Sequence, residues 1–278
     1  MAARKTHARA LRGAVVTGSV AALLAAAPAD AKITALPSQD SEFRKGATDL
    51  AKALARNHRQ VRRGSFSIIP PSARPAAIST TRLAGFPRHG KSYAILSSGD
   101  ARYADRKNNS GAFGRAGGGP FVRGARDVLI FRIDLRVPSD ANCVSFAFRF
   151  LSEEFPEFVS SEFNDAFIAE EGSTSWTSRS NEDPTIDAPG NFAKDPGGRN
   201  ISVNQAGAFT VTAANAKGTT YDGATQLLRA SSPVKPGKRN VYLSIFDQGD
   251  RDYDSAVFVD NLRLYESASC ATGVVIDE

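Results

Sequence analysis

The chain has 278 residues, with 35 Lys and Arg against 29 Asp and Glu, two Cys and three His. That length holds one large β-sandwich or two small domains, and 41% hydrophobic residues with 17 Phe supply a core that excludes wholesale disorder. His7 falls in a targeting segment. His58, His89 and two Cys cannot make a three-His or four-Cys zinc site, or an iron–sulfur cluster.

The first thirty-one residues read as a signal peptide. Arg4, Lys5, Arg9 and Arg12 form a basic start, an apolar stretch follows to about Ala27, and Ala29-Asp30-Ala31 supplies a small-residue cleavage site. Lys32 is the expected first mature residue, with cleavage after Ala29 the alternative. The apolar stretch is shorter than the roughly 20 residues a membrane span needs. No second apolar stretch follows, so neither a transmembrane segment nor a C-terminal membrane anchor is expected, and the expected location is secreted.

Charge divides what remains. Residues 32–138 carry 20 Lys/Arg and 7 Asp/Glu, whereas residues 139–278 carry 11 and 21. The basic pI therefore averages two unlike halves and is no nucleic-acid signature; aromatics are also sparse among the basic residues. The basic half either docks on the acidic half or meets an anionic cell envelope.

Between Ser41 and Arg63, Phe43, Ala47, Leu50, Leu54 and Val61 recur at helical spacing, with Arg and Lys between them. This predicts one amphipathic helix, packed on its own domain or lying on a membrane surface. The prolines of residues 69–75 preclude a central strand and predict a linker. Residues 108–120 read as a glycine-rich loop without the ending of a phosphate-binding loop.

From there the period becomes two. Leu129, Phe131, Ile133, Leu135 and Val137 alternate with their neighbours, as do Val144, Phe146, Phe148 and Phe150, and then Val241, Leu243 and Ile245. A last strand places Phe258, Leu262 and Leu264 on one face, with Asp260 among them pointing inward, where a backbone hydrogen bond would serve it. Strands without intervening helical pattern predict a mainly β, antiparallel sandwich or jelly roll. The expected organisation is a signal peptide over 1–31, a helix and linker over 32–74, the sandwich over 75–270 and a tail over 271–278. Cys143 opens one strand and Cys270 follows the last. In an exported chain the expectation is a disulfide between them, two buried free thiols being the alternative.

Ser152-Glu153-Glu154-Phe155-Pro156-Glu157-Phe158-Val159 followed by Phe163-Asn164-Asp165-Ala166-Phe167 closely resembles the SEEYPEFV…FNDVF signature of the choice-of-anchor L domain family. Further words agree in order: Ala94 to Ala101, Asn191-Phe192-Ala193, Ser202-Val203-Asn204, Tyr221 to Thr225, and Asp247 to Val259. The resemblance runs from about Leu50 to Tyr265. It implies an extracellular bacterial β-sandwich domain.

Asp250, Asp252 and Asp254 alternate, with Asp247 three residues earlier at the end of an apolar strand. Carboxylates so close repel one another unless a cation neutralises them, and oxygen-only ligands suit Ca²⁺. Ser255 and Asn261 stand where an EF-hand requires Gly and Glu, so the expected form is a sandwich-loop site. Glu153, Glu154 and Asp165 are the expected further ligands, with Asn164 and Asp222 as other candidates. A solvated acidic turn is the alternative. Glu153 and Glu154 are adjacent, and in an extended chain they point apart. A glycosidase pair is therefore disfavoured, and neither His sits in a nucleophile-elbow context. The expected function is a secreted, non-enzymatic binding or adhesion module for glycan or cell-envelope ligands. A structural matrix protein, and less so a glycoside hydrolase, are the alternatives; the sequence carries no sign of oligomeric state.

Overall fold

The computed structural model describes residues 31–36, 41–71, 74–108, 118–180, 184–205 and 209–277. The expected signal peptide lies outside the described residues except for Ala31, as do residues 72–73 of the proline-rich connection and 109–117 of the glycine-rich loop. In chain order the elements begin with β1 (Ile33–Ala35), α1 (Ser41–Ala53), β2 (Val61–Ile68), β3 (Ala76–Ser79) and β4 (Tyr93–Ser97). They continue with β5 (Arg126–Val137), β6 (Cys143–Ser152), β7 (Ala166–Glu171), β8 (Thr177–Arg179), β9 (Thr185–Asp187) and β10 (Ile201–Ser202). The last are α2 (Ala213–Ala216), β11 (Gly223–Ala224), β12 (Leu228–Pro233), β13 (Gly237–Asp247), β14 (Ser255–Tyr265) and β15 (Gly273–Ile276).

Two antiparallel sheets face each other. One runs β1-β3-β4-β14-β6-β12-β15, with β11 on the end of β6; the other runs β10-β7-β13-β5-β2. Between them lies a core of Leu129, Phe131, Ile133, Phe146, Phe148, Phe150, Phe167, Leu243, Ile245, Val257 and Val259, all buried. The outer faces are covered too. Phe86, Tyr93, Ile95, Ala256 and Phe258 form a cluster outside the first sheet, and Ile130, Ile168, Trp176 and Phe246 one outside the second. Trp176 stacks on Phe246 at 4.0 Å between ring centroids and 14° between planes. Double coverage explains why β4 and the first half of β14 read as nearly continuous apolar runs rather than strict alternation.

The antiparallel sandwich is as the alternation predicts, and residues 31–278 form one compact unit. Four details differ from the sequence reading. The helix ends at Ala53, and Val61 opens β2 instead of continuing it: the backbone turns at Leu54 and leaves through a short 3₁₀ turn at His58–Gln60. Second, residues 32–74 are more than a helix and linker, because β1 pairs with β3 and β2 forms the edge of the second sheet beside β5. Third, residues 273–276 of the expected tail pair with β12 as β15. Fourth, Phe258 does not share a face with Leu262 and Leu264. The β14–β6 register shifts between Asp260 and Arg263, with Asn261 at φ 56°, so Phe258 packs outside while Leu262 and Leu264 join the inter-sheet core. Asp260 consequently faces outward with Phe258 and accepts from the backbone N–H groups of Arg88 at 2.6 Å and His89 at 2.8 Å.

Helix α1 packs on its own domain, burying Ala47, Leu50 and Ala51 against the core. Cys143 and Cys270 are bonded, with Cα atoms 5.7 Å apart and 127 residues of sequence separation. A loop of that size corresponds to about 4–5 kcal/mol in the loop-entropy model.

Candidate functional site: a buried carboxylate cluster at one end of the sandwich

β4, β6 and β13 end, and β5, β7 and β14 begin, at the same end of the sandwich, because antiparallel partners pair Ser97 with Ala256, Ser152 with Ser255, Asp247 with Arg126 and Phe246 with Ala166. The turn after β4, the loop from β6 to β7 and the loop from β13 to β14 therefore converge. They carry Ser98 to Asp100, Glu153 to Asp165, and Gln248 to Asp254. Widely separated stretches of sequence meet in one place.

Hydroxyls and backbone groups knit them together. Ser255 Oγ donates to Asp165 Oδ2 at 2.7 Å and lies 2.9 Å from Ser152 Oγ, while the Ser255 N–H donates to Ser98 Oγ at 2.9 Å. Asp165 Oδ1 accepts from the Gln248 N–H at 3.0 Å. Glu153 and Asp254 bond reciprocally: the Glu153 N–H donates to the Asp254 carbonyl at 3.1 Å, and the Asp254 N–H to Glu153 Oε2 at 3.4 Å. Glu154 accepts from the Asp165 N–H at 3.5 Å.

The carboxylates are sealed. Asp165 and Asp247 are 0% exposed, Glu153 and Glu154 1%, and Asp254 2%. Among the described residues, neither oxygen of Asp247 nor of Asp254 accepts a hydrogen bond. The Ser98 hydroxyl beside Asp247 offsets part of its burial cost, whereas Asp165 adds to that cost by repulsion. Burial is the main force on Glu154, Asp165, Asp247 and Asp254, with repulsion from neighbouring carboxylates added. It pushes Asp165 up to about 7 and Glu154 up to about 10. Asp247 and Asp254 are raised well above the usual carboxylate range, first by burial, then by repulsion from Asp165 and Asp254 at Asp247 and from Glu153 and Asp165 at Asp254. The buried Tyr221 phenol is raised as well, first by burial and then by Glu153 and Asp254.

Of the expected metal ligands, Asp247, Asp254, Glu153, Glu154 and Asp165 are brought into this buried end. Asp250 and Asp252 are not. They sit in the turn beyond it, Asp250 half-buried and Asp252 exposed, where Asp250 Oδ1 accepts from the Asp252 N–H at 3.1 Å. Asp222 is half-exposed beside Asn108, and Asn164 spends its carbonyl on the Asn204 N–H at 2.8 Å. Among the described residues no three His, Cys, Asp or Glu side chains are already gathered closely enough to hold an ion. Ser98, Gly99, Asp127 and Tyr221 were missed as neighbours of the cluster. For Ser98, Gly99 and Tyr221 the signal was present, since they belong to two of the family words in the sequence; Asp127, completely buried at the start of β5, had none.

Above this floor lies an aromatic rim. Phe158 packs against Phe163 at 5.2 Å, nearly perpendicular, and against Tyr253 at 5.0 Å; all three are half-buried. Glu157, Glu162, Asp252 and the 41%-exposed Val159 surround them at the surface.

The family model described as "Choice-of-anchor L domain" matches residues 95–263, a span that holds all of these loops. No curated protein matches the chain. Among the solved structures to which the chain is similar are two carbohydrate-binding modules and an adhesin domain. A carbohydrate-binding module, TmCBM61, solved with β-1,4-galactotriose, has 7% identity and a TM-score of 0.29 over 74% of this chain and 88% of its own. The K2 cleaved adhesin domain of Lys-gingipain has 10% and 0.31 over 73% and 88%. A carbohydrate-binding module specific for non-crystalline cellulose has 13% and 0.32 over 66% and 80%.

Proposed function

For a chain that belongs to the choice-of-anchor L domain family, we propose the role of a secreted, non-enzymatic binding module of the adhesion type, holding glycan or cell-envelope ligands at the loop end of its sandwich. The observation that carries this reading is the rim of Phe158, Phe163 and Tyr253. Half-buried rings give a sugar face an apolar platform, and the exposed carboxylates of Glu157, Glu162 and Asp252 around them accept hydrogen bonds from hydroxyls. Calcium is the ion proposed to order this end, since the buried groups offer oxygen alone.

A hydrolase needs carboxylates that reach the scissile bond. Here Asp247, Asp254, Glu153 and Glu154 lie beneath backbone and serine hydroxyls with 2% exposure or less. No glycosidic bond approaches them without opening the fold.

The test is an array of bacterial and plant polysaccharides, together with pull-down on purified cell walls, for the wild type and for Phe158→Ala with Tyr253→Ala. The expected result is saturable binding that weakens about tenfold or more in the double variant at unchanged melting temperature, as for loss of a central aromatic anchor. Equal binding by both proteins would remove the rim from the account, and turnover of chromogenic glycosides would replace a module by an enzyme. N-terminal sequencing of material from the medium is expected to begin at Lys32.

A further inference from the structure

Asp247 and Asp254 present a specific physical problem. Each is buried to 2% or less, and among the described residues no donor meets the oxygens of either in hydrogen-bond geometry, the nearby Ser98 hydroxyl easing Asp247 only in part. Both face the same short turn after β4: Ser98 lies beside Asp247, and a Cβ on Gly99 would overlap the Asp254 carboxylate. Asp165 supplies further negative charge close by, while its own oxygens are already satisfied by Ser255 and Gln248. Four acceptor oxygens without hydrogen bonds among the described residues, two at the end of β13 and two just before β14, strands of opposite sheets, are costly to bury. Protons relieve charge one at a time and leave the other oxygens unsatisfied. A divalent cation relieves both carboxylates together.

We infer that Asp247 and Asp254 are the charged ligands of one divalent cation, of Ca²⁺ type, held inside the sandwich against the Ser98–Gly99 turn and not in the Asp250–Asp252 turn above it. Two carboxylates match the ion's charge, and turn oxygens or water complete the 6–8 oxygen contacts that Ca²⁺ takes. β13 belongs to the second sheet and β14 to the first, so the ion ties the sheets together at their loop end. It lies below the aromatic rim and need not touch a ligand there. The inference deepens the calcium part of the proposed function, and it can fail while glycan binding stands.

The experiment uses the chain stripped with chelator and titrated with Ca²⁺ alone. Calorimetry is expected to give one ion per chain. The melting temperature should rise by roughly 5–10 °C when Ca²⁺ is about a hundredfold above its Kd. Asp247→Asn and Asp254→Asn should each abolish the rise, and Asp250→Asn with Asp252→Asn should keep it. A wild type indifferent to Ca²⁺ overturns the inference. So does a rise that survives Asp247→Asn and Asp254→Asn, or one that vanishes in the double turn variant. If the single variants do not fold, Tb³⁺ replaces Ca²⁺ and its luminescence is excited through tyrosine. Tyr221 borders Asp254 from within the fold, and Tyr253 sits in the turn. Loss of the signal in Tyr221→Phe but not in Tyr253→Phe supports the internal site; the reverse pattern places the ion in the turn and overturns it.

Discussion

Gly64 lies in β2 beneath α1, where a Cβ would overlap the carbonyl of Ala47. The helix rests on backbone, so the contact has no flexible side chain to give way. Gly64→Ala should therefore displace α1 and cost about 1–3 kcal/mol, the range for overpacking. Thermal unfolding should show a melting temperature lower by roughly 2–10 °C for a domain of this size. Asn261 carries a second local constraint. Its φ of 56° is tolerated by Asn or Gly and resisted by β-branched residues. Asn261→Val is expected to lose about 1–3 kcal/mol, and Asn261→Gly much less, by denaturant unfolding. This residue also marks a limit of sequence reading. Alternation placed Phe258, Leu262 and Leu264 together, and nothing local announces the bulge that parts them.

At the scale of elements, the long strands were legible because β5, β6 and β13 keep a side-chain period of two over many residues. Short elements were not. β1, β8, β9, β10 and β11 have two or three residues each, too few for any period, and exist because neighbours complete their hydrogen bonds. The α1–β2 boundary was blurred because Val61, buried in the strand, happens to fall near helical spacing from Leu54. The loop before β10 carries its own electrostatic anchor. Asp195 accepts from the Arg199 N–H and Nε, both at 2.8 Å, and from Gln205 Nε2 at 2.9 Å. Burial acts to raise its pKa, yet these bonds outweigh burial and hold it below the usual carboxylate range. A folded-state value below the unfolded one contributes stability that is present above about pH 4 and lost as pH falls through the folded value. The melting-temperature gap between wild type and Asp195→Asn is therefore expected at neutral pH and should close under acid.

Across the whole molecule, the site was only half visible in the sequence. The acidic words were recognisable, and five of the seven expected carboxylates gather at the buried end. The spacing of Asp250, Asp252 and Asp254 pointed to a ligating run, but the chain turns there and only Asp254 goes inside. Burial depends on which strand ends meet, and that is a property of pairing, not of any one segment. The uneven charge of the two halves has a modest structural role. Arg63 and Arg132 both pair with Asp134, and Arg102 with Asp100, inside the basic half; Arg88 reaches across to Asp277 at 3.9 Å. The basic side chains of α1 and its surroundings, including Arg44, Lys45, Arg56, Arg59 and Arg62, stay exposed.

The bond between Cys143 and Cys270 also sets what a protease can do to this protein. It encloses the whole stretch from β6 through β14, including the exposed acidic loops at the rim. A cut anywhere inside that ring, at Arg251 for instance, severs the backbone without releasing a piece. Trypsin-nicked protein is expected to migrate as one band on a non-reducing gel and as two after reduction, and the nicked form should keep its fold until a reductant arrives. On the proposed secreted role, damage to the exposed loops would be survivable, and the reducing power of the surroundings would decide how long the molecule lasts.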